Sequence, residues 1–210
     1  MSLTTQLDDG ITALGIALLY ETRILLLQYL TLIEKWNQVY NLTAIRGPET
    51  MLTQHVLDRL AILPHIVGPR IADVGSGAGL PGIPLALARP DCCVTLLESN
   101  HKRAAFLQQV RIELDLKNIE IVVERVENFC PVKKFDTVIS RAFSSLAVFV
   151  KLAGHLCKKD NKNSRILAMK GAYPQEDLTR VSTQFIVDRI LPVTVPGLGA
   201  ERHIVVIKHL

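Results

Sequence analysis

Two hydrophobic rhythms divide the chain. Up to about residue 69 the apolar positions recur at helical spacing: Leu26, Leu30 and Ile33, continued by Asn37, predict a helix over 21–40, because residues three or four apart share one face. Gly47-Pro48 signals a fresh start, and Met51, Leu52, Val56, Leu57 and Leu60 supply the apolar positions of a second helix. His55 and Asp58 fall three apart within it and read as a simple surface pair. From residue 70 onward, short apolar runs predict strands at 70–74, 93–97, 119–123, 135–140, 165–169, 186–191 and 203–208, with helical patterns at 83–88, 102–114, 145–157 and 174–183. Such alternation predicts a doubly wound, mostly parallel α/β sheet with helices on both faces. The last two runs are joined by PVTVPGLGAE, too short for a crossover helix, so they are expected to pair antiparallel at the sheet edge. The expected organisation is a helical extension over 1–69 and an α/β domain over 70–210.

One stretch carries most of the chemistry. RIADVGSGAGLPGIPLALARP, residues 70–90, runs from a strand through Gly75, Gly77, Gly79 and Gly82 into a helix. Glycine lets a backbone approach a ligand closely, and the N–H groups of a helix start favour electron-rich atoms. Gly77, Gly79 and Gly82 satisfy the G-x-G-x-x-G of a dinucleotide site, with Glu98 about 20 residues on. Register argues otherwise: the strand ends at Val74, which would leave Gly75 outside that motif. Counted from Gly75, the pattern becomes Asp73-x-Gly75-x-Gly77-x-Gly79, which resembles the first motif of S-adenosylmethionine-dependent methyltransferases. A carboxylate at Asp73 suits the cationic methionine end of that cofactor and would repel a pyrophosphate. Glu98, ending the second strand, has the acceptors for both ribose hydroxyls. Val126 and Glu127, after the third strand, border the same crevice and are placed to pack on and read an adenine.

The fourth strand ends in ISRAF, which puts Ser140, Arg141 and Phe143 over the transfer site. Neither the Asn/Asp-Pro-Pro-aromatic motif of amine methylation nor a nucleophilic cysteine stands there. A ring nitrogen with a free lone pair, such as guanine N7, needs neither, since alignment of nucleophile, methyl and sulfur carries most of the rate. An arginine pairing with both O6 and N7 of guanine would block the attacking atom, so Arg141 is expected to order the cofactor pocket and steady a phosphate or O6.

Charge adds a partner class. The net charge of +4 is unevenly spread: residues 1–69 hold four Lys/Arg against six Asp/Glu, and residues 70–210 hold twenty against fourteen. A basic excess around the glycine loop suits a nucleic acid, with Arg125, Lys170, Arg202 and His203 as candidate RNA contacts. Cys92, Cys93, Cys130 and Cys157 lack metal-ligand spacing, so no metal is expected and they read as buried thiols in a reducing compartment. No apolar run reaches the 20 or so residues of a membrane span, and MSLTTQLDD is acidic where a signal peptide is basic. A cytoplasmic monomer that avoids membranes is the expectation.

WNQVYNLTAIR, HVLDRL, IADVGSGAGLPGIPLALARP, ISRAF, Met169-Lys170-Gly171 and ERHIVVIK together resemble the bacterial RsmG family, also called glucose-inhibited division protein B, over nearly the whole chain. The resemblance implies a Rossmann-like class I methyltransferase fold. It also implies transfer from S-adenosyl-L-methionine to N7 of one guanine of 16S ribosomal RNA in the small ribosomal subunit. Cofactor contacts carry over to Gly75, Leu80, Val126, Glu127 and Arg141; Leu80 enters through the resemblance alone. The loop KKDNKNS looks longer than usual for the family, and Asn128 follows the Val-Glu pair where another acid often stands. Two other readings compete: an NAD-binding dehydrogenase, weakened by Asp73, and a non-catalytic RNA-binding assembly module, weakened by the intact glycine loop.

Overall fold

The computed structural model describes residues 2–141, 143, 145–159, 161–173 and 184–210. Helix α1 (Leu3–Ala13) is capped by Ser2, whose hydroxyl oxygen accepts from the Thr5 N–H at 3.1 Å. Helix α2 (Tyr20–Tyr40) buries Leu26, Tyr29, Leu30, Leu32, Ile33 and Asn37. A third helical run passes from α3 (Pro48–Met51) through a π-helical segment (Leu52–Leu57) into α4 (Asp58–Leu60).

The sheet has seven strands: β1 (Arg70–Val74), β2 (Cys93–Leu97), β3 (Ile119–Val122), β4 (Thr137–Ser140), β5 (Arg165–Lys170), β6 (Phe185–Pro192) and β7 (His203–His209). Their spatial order is β3-β2-β1-β4-β5-β7-β6. Pairing is parallel from β3 to β5, whereas β7 runs antiparallel to both β5 and β6. The expected edge hairpin is present, with the later strand, β7, inserted between β5 and β6.

Period-two alternation assigns the two faces. Ile71, Leu167, Met169, Ile204 and Val206 point to a core shared with α1, α2, α5 (Gly82–Ala88) and α6 (His101–Glu113). Ala72, Val74, Ile166, Ala168, Val205 and Ile207 point to the other face, covered by α7 (Leu146–Ala153). The helices of residues 1–69 therefore pack on the sheet through the same continuous core as α5 and α6. Trp36 marks the join, stacking on Tyr40 and meeting Phe106 of α6 edge-on at 5.6 Å; the aromatics of WNQVYNLTAIR serve packing here.

Boundaries shift where local hydrogen bonding overrides apolar pattern. Phe135 precedes β4 and makes only an isolated bridge to Cys157. Helix α7 ends at Ala153 and tightens into a 3₁₀ turn over Gly154–Leu156. Cys92 and Cys157 are buried as expected, but Cys93 and Cys130 are exposed. The helix expected at 174–183 lies outside the described residues.

Candidate active site

Between β1 and β4 the strand order reverses, because β2 and β3 lie on one side of β1 while β4 and β5 lie on the other. Loops leaving the carboxyl ends of these two strands part there and open a crevice, the usual ligand position in doubly wound sheets. The Ser140 hydroxyl donates to the Val74 carbonyl at 2.6 Å and ties the two strand ends together.

The glycine loop is held from both sides. Gly75 and Ser76 donate their N–H groups to the Leu97 carbonyl, and Gly79 and Leu80 donate theirs to the Ser76 carbonyl. Gly77 has φ +60°, and a Cβ built on it would meet only the Gly75 oxygen at 3.9 Å, so a side chain there would fill the cradle itself. At Gly82 the constraint is contact: a Cβ would lie 2.2 Å from Leu96 Cδ2 and 2.8 Å from Asp73 Oδ2. The loop and α5 can thus close tightly over β1 and β2.

A cavity of about 170 Å³ opens beside this loop. It brings together Gly75, Glu98, Arg125, Val126 and Glu127 of the expected residues, and adds Val74, Leu97, Phe143 and Leu152 as apolar wall. The N–H groups of Val126 and Glu127 have no partner among the described residues, while the Val126 carbonyl accepts from Phe129. Apolar walls, free backbone donors and the Glu98 carboxylate fit an adenosine. Leu80 packs against the core beside the loop rather than lining this cavity.

Glu98 already has work within the fold. Its Oε2 accepts from the Gly77 N–H and its Oε1 from the Asn100 N–H, both at 2.8 Å, leaving lone pairs for further donors. Glu98→Ala is therefore expected to lower stability by about 1–3 kcal/mol and to weaken the binding of whatever nucleoside the cavity holds. Thermal melting and calorimetry check the two effects; unaltered affinity removes Glu98 from the site.

Asp73 lies entirely beneath the loop, where its Oδ2 accepts from the Gly82 N–H at 2.8 Å and its Oδ1 finds no partner. Burial pushes its carboxyl up to about 7, against the pull of the Gly82 N–H and Arg59. Tyr29, from α2, donates its hydroxyl to the Ala78 carbonyl and so braces the loop from the helical side. Burial, reinforced by Asp73, raises the Tyr29 pKa.

A second cluster is formed by the third helical run, electrostatically joined to Arg141 and Arg202. His55, Asp58 and Arg59 are 2%, 1% and 0% exposed, so the surface pair expected from spacing is instead wholly buried. The run is π-helical over Leu52–Leu57 and returns to α-helix at Asp58, so the sequence's simple helical phase is not kept through it. Asp58 accepts from Arg59 Nη1 at 2.6 Å and from Arg202 Nε at 3.1 Å. Arg59 Nε and Nη2 and His55 Nδ1 have no partner among the described residues. The other ring nitrogen of His55 bonds the Thr43 hydroxyl at 3.1 Å, and Asn37 Oδ1 accepts from the Thr43 N–H. Burial, then the Arg59 charge, pulls the His55 pKa down to about 4.

Arg141 is exposed at the end of β4. Partial desolvation lowers its pKa, with Asp58 raising it and Arg202 lowering it, which marks it as electrostatically joined to the same cluster. Lys170 and His203 are opposite one another across β5 and β7, and His203 Nδ1 bonds the Gly171 carbonyl at 3.0 Å. Arg141, Lys170, Arg202 and His203 thus share one edge of the sheet, whereas Arg125 stands apart on the cavity wall. Tyr29 and Arg59 are the residues that sequence reasoning passed over. The signals were a tyrosine inside a leucine face and an arginine between Leu57 and Leu60, both compatible with ordinary surface positions.

Solved structures with this fold include the mitomycin 7-O-methyltransferase MmcR, at TM-score 0.59 and 16% identity over 77% of this chain and 55% of that one. TrmN from Thermus thermophilus matches at TM-score 0.54 and 18% identity over 83% of this chain and 53% of that one. The present chain spans about half the length of each, and the likeness is one of fold. Sequence relatives are nearer: ribosomal RNA small subunit methyltransferase G of Nitrosospira multiformis is 60% identical, over 99% of this chain and 98% of that protein. The protein of the same name from Nitrosomonas europaea is 53% identical over 100% and 99%. The family model described as rRNA small subunit methyltransferase G matches residues 23–205, and with relatives aligned end to end the chain belongs to that family, GidB.

Proposed function

We propose that the protein transfers a methyl group from S-adenosyl-L-methionine to N7 of a guanine in 16S ribosomal RNA of the small subunit. The observation that carries the reading is the meeting, at the strand-order reversal, of a glycine cradle, an adenosine-sized set of contacts and a cationic edge. S-adenosyl-L-methionine supplies an electrophilic methyl group on a sulfonium sulfur. Gly75 and Gly77 let the backbone approach it, Glu98 accepts from the ribose hydroxyls, Val126 packs on the adenine and Glu127 reads its edge. Asp73 lends negative charge to the methionine end from below the loop. Since N7 carries no proton, no side chain is needed as a base, and positioning is the protein's main contribution. Arg141 is assigned to the meeting point of cofactor and RNA, with Lys170, Arg202 and His203 holding phosphate or O6.

Residues 70–210 are assigned as the methyltransferase domain and 1–69 as a helical extension that braces it through Tyr29 and Asp58. A cytoplasmic monomer is the working assignment; among the described residues no helix is long and apolar enough to cross a membrane. Labelled methyl transfer to deproteinised 16S RNA and to small subunits, followed by mapping of the modified base, tests the reaction. Label on protein, or none on RNA, defeats it. Arg141→Ala is expected to reduce cofactor affinity and transfer rate each by about tenfold or more; retention of both removes Arg141 from the site.

A further inference from the structure

We propose that the edge of the sheet opposite the crevice carries a second binding surface for phosphodiester groups, and that it holds a distant part of the ribosomal RNA substrate. The proposal rests on the rRNA methyltransferase reading above. Two adjoining grooves lie at the amino-terminal ends of β1, β4 and β5, and they share Lys134 and Lys159. One, of about 700 Å³, adds Lys151 and His155 over a floor that includes Val150. The other, of about 420 Å³, adds Arg70, Lys133 and Lys158.

Convergence marks this surface: five lysines and Arg70 line the two adjoining grooves. Several exposed cations elsewhere have acidic neighbours: Arg23 pairs with Asp8, Arg89 with Asp91, Lys117 with Asp115 and Lys208 with Asp188. Among the described residues no carboxylate lines either groove. The buried Asp136 beneath them pairs with Lys158 alone, so Lys133, Lys134, Lys151 and Lys159 have no ion-pair partner among the described residues. Phe185 and His209 lie with ring centroids 4.2 Å apart on the wall of the larger groove and offer a flat surface for a base or sugar. Unpaired cations from the segment before β4, from α7 and from the loop before β5 converge as a polyanion requires.

The position defines what is bound. Strand β5 is six residues long, so groove and crevice are separated by roughly 20 Å at ~3.3 Å per residue. The nucleotide being methylated cannot reach both. The groove therefore favours a long or folded RNA over a short fragment carrying the same guanine, and leaves the chemistry of the crevice unchanged.

The test uses the full chain with Lys134→Glu, Lys151→Glu and Lys159→Glu combined, and fluorescein-labelled deproteinised 16S RNA titrated at several salt concentrations. Binding is expected to weaken at least tenfold, and the slope of log affinity against log salt to become shallower by about 2 to 3, one phosphate contact per lysine. Cofactor affinity by calorimetry and the transfer rate at saturating RNA are expected to hold. RNA affinity and salt slope equal to those of the unaltered protein overturn the proposal. If circular dichroism shows the triple variant unfolded, the corresponding glutamine variant replaces it, with the same direction expected and equal binding again overturning the groove. Failure of the parent reading looks different: RNA held through the groove but never methylated leaves this surface standing and removes the methyltransferase assignment.

Discussion

Replacing Asp58 by alanine is expected to cost about 3–5 kcal/mol of folding stability, among the largest losses available to a single substitution here. Asp58 is 1% exposed and is the acceptor shared by Arg59, which is fully buried, and Arg202, which arrives from the start of β7. Without it, Arg59 remains in the core with none of its donors satisfied among the described residues, where Nε and Nη2 already lack partners. At roughly 2–4 °C per kcal/mol for a chain of this size, melting should fall by about 6–20 °C. Removing the acid and the buried base together, as Asp58→Ala with Arg59→Met, is expected to recover much of that loss, because replacing a buried pair by apolar groups is often nearly neutral. Urea titration of the two variants measures both numbers; a loss below about 1 kcal/mol for Asp58→Ala shows that other groups compensate the arginines.

The second expectation joins stability to function. Asp73 holds its proton up to about pH 7 in the folded protein, whereas an unfolded aspartate releases it near 4. Between those values the native state binds more protons than the unfolded one, so this group's contribution to stability falls as pH rises and is fully unfavourable above 7. Asp73→Asn keeps an acceptor for the Gly82 N–H without the charge. It is expected to be more stable than the parent at pH 8, on the order of 4 kcal/mol at most, with the advantage shrinking toward pH 4. His55 works in the opposite sense: held near 4 when folded, it destabilises the fold as pH drops through 6.5, when the unfolded chain takes up the proton. The parent should therefore show a shallow profile between pH 4 and 7, and the asparagine variant a clear acid loss. On the proposed placement of a cationic methionine end above Asp73, cofactor affinity should move the other way and fall about tenfold or more at pH 8, because that carboxylate is lost. Melting and calorimetry across pH read both; if the variant binds the cofactor as tightly as the parent, Asp73 is a packing residue only.

Both residues show where linear reasoning works and where it stops. Asp73 was placed at a strand end by register, and its proximity to the glycine loop followed directly from sequence neighbours. That it would be sealed under the loop, raising its pKa, depends on Gly82 and Leu96 closing above it. Asp58 was legible as a residue of HVLDRL but assigned to the surface, since its spacing from His55 reads as a surface pair and nothing in the local sequence announces the π-helical turn. Glu98 lies between these cases: the strand end placed it correctly, while its bonds to Gly77 and Asn100 required the folded loop.

The sequence by itself determined the strands and most helices, the glycine cradle with its register, and the run of motifs that identifies the family. Those are local properties, set by side-chain periodicity and by conformations that only particular residues adopt. Tertiary structure alone decided that β7 lies between β5 and β6, and that the helical extension shares a core with the sheet. It also decided that Arg202 meets Asp58 across 144 positions, and that lysines from three segments line grooves away from the crevice. Each depends on which distant surfaces come together and on how much water leaves when they do, and burial rather than sequence neighbourhood then sets the charge state of Asp73 and His55.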